Sequence, residues 1–141
     1  MMIRLVLIAA CLFGLATSAS ADDYASQISR YRRTHGLSTV KADAHLVAIA
    51  LRQAKAMSAA GKVSHFVAGS FVSRIGELRD GKAAENLAAG FLTFRETLKQ
   101  WEDSPGHREN LLMPGARKVG VASVRNPGSP YRMFWAMVIT D

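Results

Sequence analysis

From Met133 to Ile139 every residue is apolar. Read as a strand, the run points Met133, Trp135, Met137 and Ile139 to one side and Phe134, Ala136 and Val138 to the other, so both faces need cover. A second strand-like stretch, Lys118 to Val124, precedes it, and Asn126-Pro-Gly-Ser-Pro130 between them is a strong turn signal. The pattern predicts a terminal hairpin over 118–124 and 131–140. Upstream the chain has helical periods, so helices are the available cover. The expected fold class is α+β: an α-β-α sandwich with a small central antiparallel sheet flanked by helices.

Asp22 to His35 reads as a helix carrying Tyr24, Ile28 and Tyr31 on one side and stopped by Gly36. Asp43 is a good N-cap for a second helix, in which Leu46, Ile49, Ala50, Ala54 and Met57 recur at helical spacing up to Gly61. Thr93-Phe-Arg-Glu96 is a capping box opening a third, with Phe94, Leu98 and Trp101 along one face. Ser104-Pro105 looks like a further N-cap with proline at the first helical position, leading to about Leu112. Residues 62–90 lack a clean period and contain Gly69, Gly76, Gly81 and Gly90, so mostly loop with short pieces of structure is expected there.

The first 21 residues have the layout of a secretory leader. A single positive charge at Arg4 is followed by the apolar stretch Leu5 to Ala16, and Ala19-Ser20-Ala21 fits a small-residue cleavage site. The stretch falls short of the roughly 20 apolar residues that span a bilayer. Ile8-Ala9-Ala10-Cys11 offers a rival lipoprotein reading, which the continuation of the apolar run past Cys11 argues against. The expectation is therefore a leader over 1–21 and one domain over 22–141, secreted or extracytoplasmic (periplasmic if the cell is Gram-negative), with no transmembrane segment once the leader is removed. Cys11 is the only cysteine, which excludes a disulfide framework and a cysteine-based zinc site.

Eighteen Lys and Arg against eleven Asp and Glu leave a formal charge of +7. The densest cluster is Arg30, Arg32 and Arg33, and the rest are spread from Lys41 to Arg132. No basic stripe interleaved with aromatics is visible, so the expectation is a solvated basic surface and no specific nucleic-acid partner.

Chemistry, if any, rests on histidines and one glutamate. His35 beside Gly36 can bond the last carbonyls of its helix, and His45 sits in a first helical turn; both read as structural. His65 opens the irregular segment. His107 sits in the first turn of its helix, where the helix dipole favours the neutral, metal-ligating imidazole. Glu85, set among small and apolar residues in Ala83-Ala-Glu-Asn-Leu87, is costly to bury unless it meets a cation, a metal or hydrogen-bond donors. Glu96 belongs to the capping box; Glu102, Asp103 and Glu109 read as solvent-facing. The chain has no HExxH, GxSxG or Gly-rich phosphate loop.

Ser64-His65, Ala84-Glu85-Asn86-Leu87-Ala88, Trp101-x-x-Ser104-Pro105-Gly106-His107-Arg108 and Val119-Gly-Val-Ala122, in this order, resemble the CAP superfamily. Its members are the cysteine-rich secretory, antigen 5 and pathogenesis-related 1 proteins, and the resemblance is to the short bacterial SCP-like form. It covers about Ile28 to Ile139 and includes Arg33-Thr-His-Gly-Leu37 near the start. It implies an α-β-α sandwich with a cleft lined by two histidines and acidic residues, matched here by His65, Glu85 and His107. Larger relatives carry a second glutamate three residues after the tryptophan, where this chain has Ser104, and Ala84 stands where glycine is usual.

His65, His107 and Glu85 make a plausible three-ligand set for Zn²⁺. Asn86 could orient Glu85 or bond a ligand, and Ser104 could cap its helix while facing the cleft. The leading functional expectation is a secreted binding module for a lipid, sterol or envelope component. Alternatives are a metal-assisted hydrolase using the same cleft, with Glu85 or a metal-bound water as base, and a small secreted ribonuclease using His and Glu as acid and base.

Overall fold

The computed structural model describes residues 20–76 and 81–141. The leader read over 1–21, with Cys11, lies outside the described residues apart from Ser20 and Ala21. In chain order the elements are α1 (Ala21–Thr34), β1 (Lys41–Ala42), α2 (Ala44–Ala60), α3 (Phe71–Ile75), β2 (Ala83–Ala89), α4 (Phe94–Asp103), α5 (Pro105–Leu111), β3 (Lys118–Asn126) and β4 (Arg132–Thr140).

Local signals place most of the helix ends. Ser20 accepts from the Asp23 amide and Asp43 from the Leu46 amide, each satisfying a donor that a helix start leaves unpaired. Gly61 closes α2 in the left-handed conformation, φ 65°, at no side-chain cost. The Thr93–Glu96 capping box is formed in both directions. Ser104 departs from expectation: it stands at the N-cap of α5, but its side chain makes no capping bond.

The sheet order is β1-β3-β4-β2. Antiparallel pairing joins β3 to β4 and β4 to β2, while the two-residue β1 runs parallel to β3. The alternation read in β4 divides two cores. Trp135, Met137 and Ile139 join Ile28 of α1, Phe94, Leu98 and Trp101 of α4, and Leu111 of α5. Phe134, Ala136 and Val138 join Leu46, Ile49, Ala50, Ala54 and Met57 of α2. The molecule is thus three layers, with α1, α4 and α5 on one face of the sheet and α2 on the other.

One expectation is made specific and another is corrected. The short pieces of structure expected within 62–90 are α3 and the seven-residue β2. Ala-Ala-Glu-Asn-Leu-Ala-Ala has weak strand propensity, so its pairing along β4, from Ala83 opposite Thr140 to Ala89 opposite Phe134, comes from tertiary context. Arg32, counted with the surface cluster, is fully buried. Its guanidinium donates to the carbonyls of Ser38 (2.7 Å), Leu111 (2.9 Å) and Met113 (3.0 Å), fastening α1 to the segment after α5.

Candidate functional site

β2 is an edge strand, paired on one side only, and an open edge needs cover. Side chains supply it. The Leu87 carbonyl accepts from Trp101 Nε1 of α4 at 3.1 Å, and the Glu85 carbonyl from Asn110 Nδ2 of α5 at 3.3 Å. Adjacent strand residues face opposite ways, so Glu85 and Asn86 serve different layers.

Glu85 points to the α2 side and is 2% exposed at its side chain. The cation it requires is Arg74 of α3, equally buried, which sequence reading did not single out. Arg74 Nη1 donates to Oε2 at 2.5 Å and Nη2 to Oε1 at 2.9 Å, the two-pronged geometry of a strong guanidinium–carboxylate pair. Burial called for a partner; only folding, by setting α3 against β2, identified it.

His65 is held at three points. Gln53 of α2 donates to the Ser64 carbonyl at 2.7 Å, and Arg74 Nη2 donates to the His65 carbonyl at 3.0 Å. Its Nδ1 lies 2.7 Å from Glu85 Oε1. A carboxylate can only accept, so Nδ1 carries the proton and Nε2 is the ring's acceptor when the imidazole is neutral. The ring is half exposed. The array is a pinned imidazole with one nitrogen available.

Asn86, fully buried, faces the other layer. It donates to the His107 carbonyl at 3.0 Å and accepts from Asn110 Nδ2 at 2.9 Å. Its amide therefore secures α5 instead of orienting Glu85. Asn110 was not anticipated; three residues beyond His107 on α5, it shares that face. His107 is partly buried, and its Nδ1 is buried with no hydrogen-bond partner among the described residues. Burial first, and the nearby His65 charge second, hold its imidazole below the ordinary value of 6.5.

His65, Glu85 and His107 thus gather at the β2 edge, Glu85 directly bonded to His65 and His107 within reach of the His65 charge. Ser104 lies apart from that bonding, lining a groove of about 690 Å³ along α4 with Phe91, Arg95 and Gln100. As a ligand set, the three-residue group changes meaning: both Glu85 oxygens are engaged by Arg74, and among the described residues no group of three or more His, Cys, Asp or Glu side chains is placed to hold a metal ion. His35 is structural, its Nδ1 3.1 Å from the Tyr31 carbonyl, and His45 is exposed in the first turn of α2. Asp103 pairs with Lys99, whereas Glu109 makes no ion pair among the described residues.

The comparisons agree with this architecture. An outer surface protein of Borrelia burgdorferi superposes with a TM-score of 0.72 at 21% identity, over 84% of this chain and 88% of that one. An extracellular protein containing a SCP domain from Bacillus anthracis gives a TM-score of 0.67 at 26% identity, over 82% of this chain and 39% of its own. A stretch of 44 residues is 43% identical to the YkwD protein of Bacillus subtilis, covering 31% of this chain and 17% of that protein. Residues 25–139 match the model of the cysteine-rich secretory protein family, CAP. With that span and the three-layer fold behind it, the chain belongs to the CAP family.

Proposed function

We propose that this chain is an extracytoplasmic binding module whose β2-edge site takes an amphipathic envelope ligand, a lipid or sterol. The observation that carries the reading is the exposure of Phe66 (75%) and Val72 (76%) in the same short segment as the pinned His65 ring. Apolar contact surface beside a small number of fixed polar groups is the usual composition of a ligand site. Glu85 supports the same reading: with Arg74 on both oxygens, it orients His65 and is not free to act as a base. The extracellular and surface descriptions of the Bacillus anthracis and Borrelia burgdorferi structures support an extracytoplasmic location. Among the described residues no helix is long and apolar enough to cross a membrane.

A metal-assisted role is the second reading, favoured by the unpartnered, buried Nδ1 of His107. His65 and His107 would hold Zn²⁺, with Glu85 fixing the His65 ring; a bound zinc would supply Lewis acidity. One titration separates the readings. A fluorescent fatty acid and a fluorescent sterol are added to chelator-treated protein and to protein given Zn²⁺, beside Phe66→Ser/Val72→Ser, His65→Ala and His107→Ala. Binding without Zn²⁺ that weakens about tenfold in the Phe66/Val72 double variant is expected, since about 1.4 kcal/mol of lost apolar contact is a factor of ten. Stoichiometric Zn²⁺ binding abolished in both histidine variants, with no lipid bound, would move the assignment to the metal reading. Binding of neither probe under either condition would overturn the lipid assignment.

A further inference from the structure

The opposite edge of the sheet carries a different surface. Two grooves of about 470 Å³ each adjoin along β1, sharing Thr39, Lys41 and Ala42. Arg30 and Arg33 of α1 line one, Arg117 and Lys118 line the other, and Lys41 lies in both. Sequence reading grouped Arg30 with Arg33 and left Lys41, Arg117 and Lys118 spread; the parallel pairing of β1 with β3 and the packing of α1 on that edge bring the five together. Lys41 and Lys118 are register partners on neighbouring strands, a like-charge juxtaposition that is unfavourable unless an anion lies between. The two carboxylates in the grooves are Asp22 and Asp43, and Asp43 is engaged in capping α2. Among the described residues none of the five cations is in an ion pair.

The lining also narrows the class of anion. It holds no aromatic side chain, the platform on which single-stranded nucleic-acid sites stack successive bases. It presents no large exposed apolar residue to wedge into a bilayer; those residues, Val63, Phe66, Val72, Leu92 and Tyr131, lie elsewhere. Two grooves that adjoin along β1, with cations lining both, in contrast suit an extended chain. We infer that the groove along β1 is a second binding site, for a linear polyanion of the cell envelope bearing phosphate or carboxylate groups at regular intervals. A single edge lysine guards a strand against mispairing; five cations along two adjoining grooves exceed that task. The site is independent of the His65 cluster, from which β3 and β4 separate it by roughly 14 Å of strand spacing.

The test uses long-chain inorganic polyphosphate, with orthophosphate, poly(U) and phosphatidylglycerol vesicles as comparison arms, followed by calorimetry or co-sedimentation. The groove variant is Arg30→Gln/Arg33→Gln/Lys41→Gln/Lys118→Gln. A control of equal charge removes exposed cations elsewhere: Arg52→Gln/Lys55→Gln/Arg95→Gln/Arg125→Gln. Thermal melts establish that each remains folded. The native protein is expected to bind polyphosphate with a log–log salt slope of roughly −3, the value for about four neutralised charges on a single-stranded polyanion. The groove variant should lose at least about tenfold in affinity and the control less than about threefold. Equal loss in the control would reduce the effect to net charge and overturn the site. So would absence of polyphosphate binding, orthophosphate binding as tight as the polymer, or preference for poly(U) or vesicles.

Discussion

At the scale of single residues, the buried Arg74–Glu85 pair sets the candidate site. Removing one member strands the other charge in the interior, so Arg74→Met is expected to cost about 3–5 kcal/mol in urea unfolding. The double variant Arg74→Met/Glu85→Leu should recover much of that stability, because no unpaired charge remains, yet leave His65 without its orienting carboxylate. His107 gives a pH signature of definite sign. Its folded imidazole is held below 6.5, so above that value both folded and unfolded rings are neutral and nothing is lost. As pH falls through 6.5 the unfolded chain binds the proton first, and stability declines until the folded ring titrates as well. The midpoint of urea unfolding should therefore fall between about pH 7.5 and about pH 5 by more in the native protein than in His107→Gln. Identical profiles would remove His107 from the account.

At the scale of elements, α2 approaches the sheet so closely that one position on β3 must lack a side chain. A Cβ at Gly120 would run into the backbone of Leu46 and Val47 in the first turn of α2. Backbone cannot swing aside as a flexible side chain can. Gly120→Ala is thus expected to destabilise by about 1–3 kcal/mol or more, where a change at an open position such as Gly106 should cost far less. Comparison of the two thermal midpoints checks the claim. Elements governed by local rules were legible beforehand: Asp43 and Gly61 bracket α2, Thr93 and Glu96 open α4, and β4 alternates between two cores. The strands not located beforehand obey no local rule. β1 is two residues long, and β2 is mostly alanine, so neither is visible until a neighbouring strand supplies the pairing.

At the scale of the whole molecule, Arg32 joins distant parts of the chain. Its partners include carbonyls 79 and 81 residues away, and among the described residues no carboxylate pairs with it. Arg32→Lys keeps the charge but loses the planar fork that reaches several carbonyls together, and each carbonyl left dry costs about 1–3 kcal/mol. A loss of at least about 2 kcal/mol is expected, read as a lowered denaturant midpoint with unchanged slope. A near-neutral effect would mean that the carbonyls find other donors. The same three-layer packing separates the two edges of the sheet, placing the His65 array on one and the basic groove on the other.

Periodicity, caps and turn residues are properties of neighbours in the chain, and by themselves they determined the fold class, four of the five helices among the described residues and the terminal hairpin. The family motifs marked His65, Glu85 and His107. The tertiary structure decided what depends on residues remote in sequence: which cation meets Glu85, that Asn86 turns away from it, that Arg32 is interior, and that scattered cations converge along β1. The physical reason is common to all four. A buried polar group states its need for a partner in the sequence around it, but the partner's identity is fixed only when packing brings distant segments within hydrogen-bond reach.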